Sequence, residues 1–83
     1  MAPPQMTPLP HLPVGSTARI VQLEGERSFR RRLMELGLLP GTPLRLVRQV
    51  AVGDLVEIEV RGCHLSLRRS EADRLLVEPG GGA

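Results

Sequence analysis

The run Ser28-Phe29-Arg30-Arg31-Arg32-Leu33-Met34-Glu35-Leu36-Gly37-Leu38-Leu39-Pro40-Gly41 constrains this chain more than any other stretch. It spells a short helix with a defined stop. Phe29, Leu33 and Leu36 sit at i, i+4 and i+7, so they share one helical face. Arg30, Arg31, Arg32 and Glu35 fill the other faces, and Leu, Arg, Met and Glu are good helix formers. Gly37 follows as the residue that enters the left-handed region at C′, which makes Leu38 C″ and Leu33 C3. That is the apolar pair of a Schellman motif. Pro40-Gly41 then signals a type II turn, after which the chain re-enters an extended segment at Thr42. The rest of the chain must supply the surface that this helix buries.

What remains reads as short strands. Thr17 to Leu23 places Ala18, Ile20 and Gln22 on one face and Arg19, Val21 and Leu23 on the other, a parity that does not decide which side is buried. Pro43 to Val50 places Leu44 and Leu46 on one face, with Arg48 on the same parity. Leu55 to Val60 alternates cleanly, with Val56, Ile58 and Val60 inward and Glu57 and Glu59 outward. Those acids suit cross-strand partners in Arg45 or Arg48. Arg61-Gly62 is a tight turn, and Cys63 to Leu67 is a further strand. Ser70-Glu71-Ala72-Asp73 resembles a capping box for a single helical turn. Leu75 to Glu78 is the last strand.

Five short strands, one helix between the first two and one helical turn before the last, predict a mainly β fold. At this size it is a small five-stranded SH3-like barrel, whose closure hides the sheet edges. The domain is expected over residues 9–78. A flexible Pro-rich lead-in at 1–8 and a flexible tail at 79–83 flank it. No Trp, no Tyr and a single Phe leave Leu and Val to build the core.

Composition narrows function further. All eleven basic residues are arginine, and nine acids reduce the net charge to +2. The high isoelectric point therefore reflects arginine chemistry more than a strong basic excess. A single cysteine excludes an intrachain disulfide framework, and no apolar run is long enough to span a membrane. No serine sits in a nucleophile motif and no glycine-rich phosphate loop is present, so the chain is not expected to be an enzyme.

Several pieces then coincide in order and spacing: Arg32 to Gly41, Gly53-Asp54-Leu55-Val56-Glu57-Ile58, Val60-Arg61-Gly62, Leu65-Ser66-Leu67-Arg68 and Glu71-Ala72. Together they resemble the FeoA family, the small cytosolic component of bacterial ferrous iron uptake. Leu12-Pro13-Val14-Gly15 and Ala18-Arg19-Ile20 resemble the start of that family. Leu55 departs from it, standing where proline is common, and so does Cys63-His64. The resemblance implies an SH3-like barrel in the cytoplasm. It also implies a partner, the FeoB membrane permease with its GTP-binding domain, and a regulatory role in iron transport without catalytic residues. A similar module ends the iron- and manganese-dependent repressors.

Candidate sites follow from the residues. Arg30, Arg31, Met34, Leu38 and Leu39 form the expected partner-binding surface, with apolar contact rimmed by arginine. Leu33, Leu36, Gly37, Pro40, Gly41 and Gly62 are structural. Arg31 and Glu35 have ion-pair spacing along the helix. Cys63, His64 and His11 are the candidate metal donors. Adjacent strand residues point to opposite faces, so Cys63 and His64 cannot readily share an ion. Parity with Leu65 and Leu67 makes Cys63 a buried apolar residue and His64 an exposed one. Two other readings are a small basic nucleic-acid-binding module and a metal-sensing or metal-delivery protein. Against the first, the charge is nearly balanced and no aromatic platform exists for base stacking.

Overall fold

The computed structural model describes residues 6–80. Its elements are β1 (Thr7–Pro8), a 3₁₀ turn (Leu9–His11), β2 (Thr17–Leu23), α1 (Arg27–Glu35), β3 (Pro43–Val50), β4 (Leu55–Val60), β5 (Cys63–Arg68), α2 (Arg69–Ala72) and β6 (Leu75–Pro79). The strands form one antiparallel sheet in the order β1-β6-β2-β3-β4-β5. The fold is mainly β and SH3-like, but it differs from the expected closed five-stranded barrel. A sixth strand, β1, pairs Thr7 with Val77 and Pro8 with Leu76. The two ends of the sheet, β1 and β5, do not pair with each other, so the barrel is not closed. Ladder pairing thus begins at Thr7 and runs to Pro79, which pairs with Ala18. Residues 1–5 and 81–83 of the expected lead-in and tail lie outside the described residues.

One continuous core lies on the concave face. It gathers Leu9, Leu12, Ala18, Ile20, Leu23, Leu44, Leu46, Val56, Ile58, Val60, Leu67, Leu75 and Val77 from the sheet and its lead-in, Leu33 and Leu38 from the helix and its exit, and Ala72 from α2. With no second sheet to cover that face, the strands must bend around their own side chains to bury them. Two bulges adjust which residues reach the core. The β2–β6 register shifts between Ile20 and Gln22, so Ala18 and Ile20 point inward before the shift and Leu23 after it. This resolves the mixed parity of β2, because a bulge inserts one residue and exchanges the faces beyond it. A second shift between Leu46 and Arg48 turns Arg48 outward, opposite Glu57.

The outer face of β3 and β4 carries the expected charge pairs, and both arginines take part. Arg45 lies 3.0 Å from Glu59 and Arg48 2.9 Å from Glu57. Across an exposed sheet face each such pair contributes about 0.2–1 kcal/mol. The capping box is shifted from its expected place. The N-cap of α2 is Arg68, and Glu71 is the residue whose carboxylate accepts the Arg68 N–H, at 3.1 Å. Ser70 and Asp73 do not form the box, because the helix starts at Arg69 and places Glu71 at N3.

Candidate functional site

α1 starts without a side-chain cap and ends in the predicted reversal. Leu36 is the C-cap and Gly37, at φ 95°, is C′. The Leu38 N–H donates to the Leu33 carbonyl at 3.0 Å, and the Gly37 N–H donates to the Met34 carbonyl at 3.0 Å. These are the two bonds of a Schellman motif. Leu33 and Leu38, its C3 and C″ residues, are both fully buried. The chain then makes the type II turn, with Gly41 at φ 91° and the Thr42 N–H donating to the Leu39 carbonyl at 3.0 Å.

That exit turn is fastened to β2. The Gly41 N–H donates to the Ile20 carbonyl at 2.6 Å, and the Ile20 N–H donates to the Thr42 carbonyl at 2.9 Å. The Arg19 guanidinium adds a bond to the Gly41 carbonyl at 2.8 Å. Pro40 is therefore held beside the β2 bulge. A cleft of about 210 Å³ opens there, lined by Val21, Gln22, Leu23, Arg30, Met34 and Pro40. Its walls are largely apolar, with Arg30 at the rim.

The opposite flank of α1 is fixed by polar contacts. The Arg32 guanidinium is ion-paired with the Glu71 carboxylate, joining α1 to α2. The half-buried Phe29 ring has the guanidiniums of Arg32 and Arg74 each 5.6 Å from its centroid. Between this clasp and the cleft lie Arg27, Arg30 and Arg31, all exposed and, among the described residues, without an ion pair. Arg31 and Glu35 border the same shallow hollow but do not pair. The helix thus presents three unneutralised arginines beside an apolar cleft.

Two expected roles exchange places. Leu38, expected on the docking surface, is fully buried, whereas Leu36, expected in the buried stripe, is 49% exposed. The reversal at Gly37 explains both. It carries Leu38 back over Leu33, and Leu36, at the C-cap just past Glu35, is left at the edge of the core. Met34 and Leu39 are exposed as the surface reading requires, each at 41%.

The candidate metal donors are not brought together. His11 lies exposed on the 3₁₀ turn, and His64 on β5 pairs across the ladder with Glu59, Nε2 to Oε2 3.4 Å. Cys63 is exposed, contrary to the burial expected from parity. It stands next to the Arg61-Gly62 turn opposite the buried Val60, but on the edge strand, where no further strand covers it as β3 and β5 flank β4. Among the described residues no three His, Cys, Asp or Glu side chains gather where they could hold a metal ion.

The FeoA domain model matches residues 7–79. The chain belongs to the FeoA family. The match begins at Thr7 and ends at Pro79, the bounds of β1 and β6. The chain is 34% identical over 70 residues to an Fe(2+) transport protein A/Fe(2+) transporter FeoB fusion protein of Porphyromonas gingivalis, covering 84% of this chain and 8% of that protein. The solution structure of the FeoA protein from Chlorobium tepidum superimposes with a TM-score of 0.82 at 35% identity, over 93% of this chain and 73% of that one. The same fold recurs in a manganese-dependent transcriptional repressor, with a TM-score of 0.85 at 14% identity, over 95% of this chain and 44% of that one. Among the described residues no helix is long and apolar enough to cross a membrane.

Proposed function

We propose that this FeoA-family chain is a cytoplasmic accessory and regulatory protein of ferrous iron transport that binds the GTP-binding domain of a FeoB-type permease. The observation that carries this reading is the fusion relative, in which both named parts share one polypeptide. Joining two domains in one chain replaces a bimolecular encounter by an intramolecular one, which helps only if the two meet. The docking face is the cleft between β2 and α1 with the arginines beside it. Met34, Leu39, Val21 and Pro40 supply apolar area, and Arg27, Arg30 and Arg31 supply charge. Unpaired arginines at a rim suit bidentate contact with carboxylates of a partner. Leu38 has no part in it, being buried, and Leu36 is available in its place.

The test is capture of the full chain by the purified cytosolic domain of the FeoB-type permease encoded in the same genome. Binding is expected. Met34→Asp and the triple change of Arg27, Arg30 and Arg31 to Ala should each weaken it at least ~10-fold, as truncations at the centre of an interface do. The arginine variant should keep its unfolding curve, because those side chains are exposed and unpaired, and Met34→Asp should stay folded with a loss of about 1–2 kcal/mol, since Met34 is 41% exposed. No binding by the native chain overturns the partner, and full binding by both variants overturns the face.

A further inference from the structure

β5 is an edge strand with one bare side. It pairs with β4 from Val60↔Cys63 to Leu55↔Arg68 without a register shift, and no strand lies beyond it. The two-residue turn Arg61-Gly62, with φ 53° and 80°, makes Val60 and Cys63 a hydrogen-bonded pair. Cys63, Leu65 and Leu67 therefore turn their backbone groups toward β4. His64, Ser66 and Arg68 turn theirs outward. The Arg68 N–H is taken by Glu71. The outward N–H and C=O groups of His64 and Ser66 make no backbone hydrogen bond to another element among the described residues, and both residues are exposed.

Such an edge invites another strand unless it is guarded by proline, a bulge or brevity. The opposite edge has two of those guards, since β1 is only Thr7–Pro8. β5 has none of these three across its six residues, and its guard is charge: Arg68 with the flanking Arg61 and Arg69 turns away a basic strand but not an acidic one.

The side chains state what would fit. Across the exposed face, Arg45 and Arg48 on β3 lie against Glu59 and Glu57 on β4, and Glu59 lies against His64 on β5. Arginines of β3 thus face acids of β4, and the one basic side chain fixed in charge on the outer face of β5 is Arg68, whose complement on an added strand is an acid. β5 holds no acid, ends in Arg68 and is flanked by Arg61 and Arg69. On its other face Leu65 is only partly buried against the core, at the place where the barrel fails to close.

We propose that the outer edge of β5 accepts an extended acidic segment of a partner protein as an added strand. Its carboxylates at alternate positions face His64 and Arg68, and the apolar residues between them cover Leu65. Main-chain bonds to His64 and Ser66 supply affinity, and the alternating side chains supply selectivity. A second copy of β5 fits poorly, because it carries the same basic residues and no acid to set against them. This edge is separate from the cleft beside α1 and does not depend on it.

The test titrates the full ¹⁵N-labelled chain with a blocked alternating Val-Glu peptide, and with its Val-Lys counterpart, followed by NMR. With the Val-Glu peptide, the His64 and Ser66 amides should move first, and their hydrogen exchange should slow ~10-fold or more. The Val-Lys peptide should leave them unchanged. Ser66→Pro deletes one outward N–H and spares the β4 ladder, so it should abolish binding. The double change His64→Glu with Arg68→Glu covers the case in which that proline unfolds the strand, and it should reverse the preference toward Val-Lys. Equal binding of the two peptides overturns the proposal, as do shifts confined to other elements. A concentration-dependent dimer that protects His64 and Ser66 without peptide also overturns it.

Discussion

Leu36 and Leu38 stand two residues apart and look equivalent in sequence, yet the structure assigns them opposite energetic weight. Leu38 is fully buried against Leu33, and Leu36 is 49% exposed. Leu38→Ala removes a packed side chain and leaves a cavity, which costs about 2–5 kcal/mol. Leu36→Ala forfeits about half of a transfer term worth ~1.5–3 kcal/mol when complete, so it costs about 0.7–1.5 kcal/mol. Each kcal/mol moves the melting temperature by about 4–8 °C in a domain of this size. A drop of about 8 °C or more is thus expected for Leu38→Ala, and a smaller one of about 3–12 °C for Leu36→Ala. Total stability at this length is of order 4–12 kcal/mol, so the Leu38 variant should sit near the edge of folding at 37 °C. The assay is thermal and urea unfolding followed by circular dichroism, with the urea slope checked for constancy. Equal losses in the two variants, or a larger loss for Leu36→Ala, would refute the argument that the reversal at Gly37 exchanges their roles.

Two further outcomes follow from the same coordinates. An added Cβ at Gly37 meets no atom within 4 Å, so Gly37→Ala costs only the left-handed backbone, about 1–2 kcal/mol; an unfolding curve unchanged from the native one would show that this glycine is not needed for the stop. Cys63, being exposed, should react with a thiol reagent in the folded protein as fast as a free thiol, and Cys63→Ser should leave the melting temperature unchanged; slow labelling that requires denaturant would return it to the core.

Where the sequence was legible, a local pattern and its tertiary use coincided. The Schellman pair Leu33–Leu38, the type II turn at Pro40-Gly41 and the alternation of β4 are each set by a few adjacent residues, and each appears as read. Sequence and structure part where a break interrupts the periodicity. By spacing the stripe from Phe29 runs on to Leu36, but Gly37 stops the helix there, and the three-dimensional reversal decides which leucine reaches the core. Parity along β5 puts Cys63 with Leu65 and Leu67, yet parity fixes only the side of the sheet, not whether a further strand covers it, and Cys63 lies on the open edge opposite the buried Val60. β2 could not be assigned because a bulge at Val21 exchanges its faces, and no residue in Thr17–Leu23 signals a bulge. The sixth strand lay hidden in a proline-rich lead-in, where Thr7–Pro8 has too few residues to show a period. Closure was the most consequential of these misreadings. A closed barrel would have paired every strand. The observed sheet leaves β5 open on one side, which is the edge that the proposed acidic strand would take. The exposed His64 lies 3.4 Å from Glu59, a member of the cross-strand charge series, and among the described residues no third His, Cys, Asp or Glu side chain gathers with them.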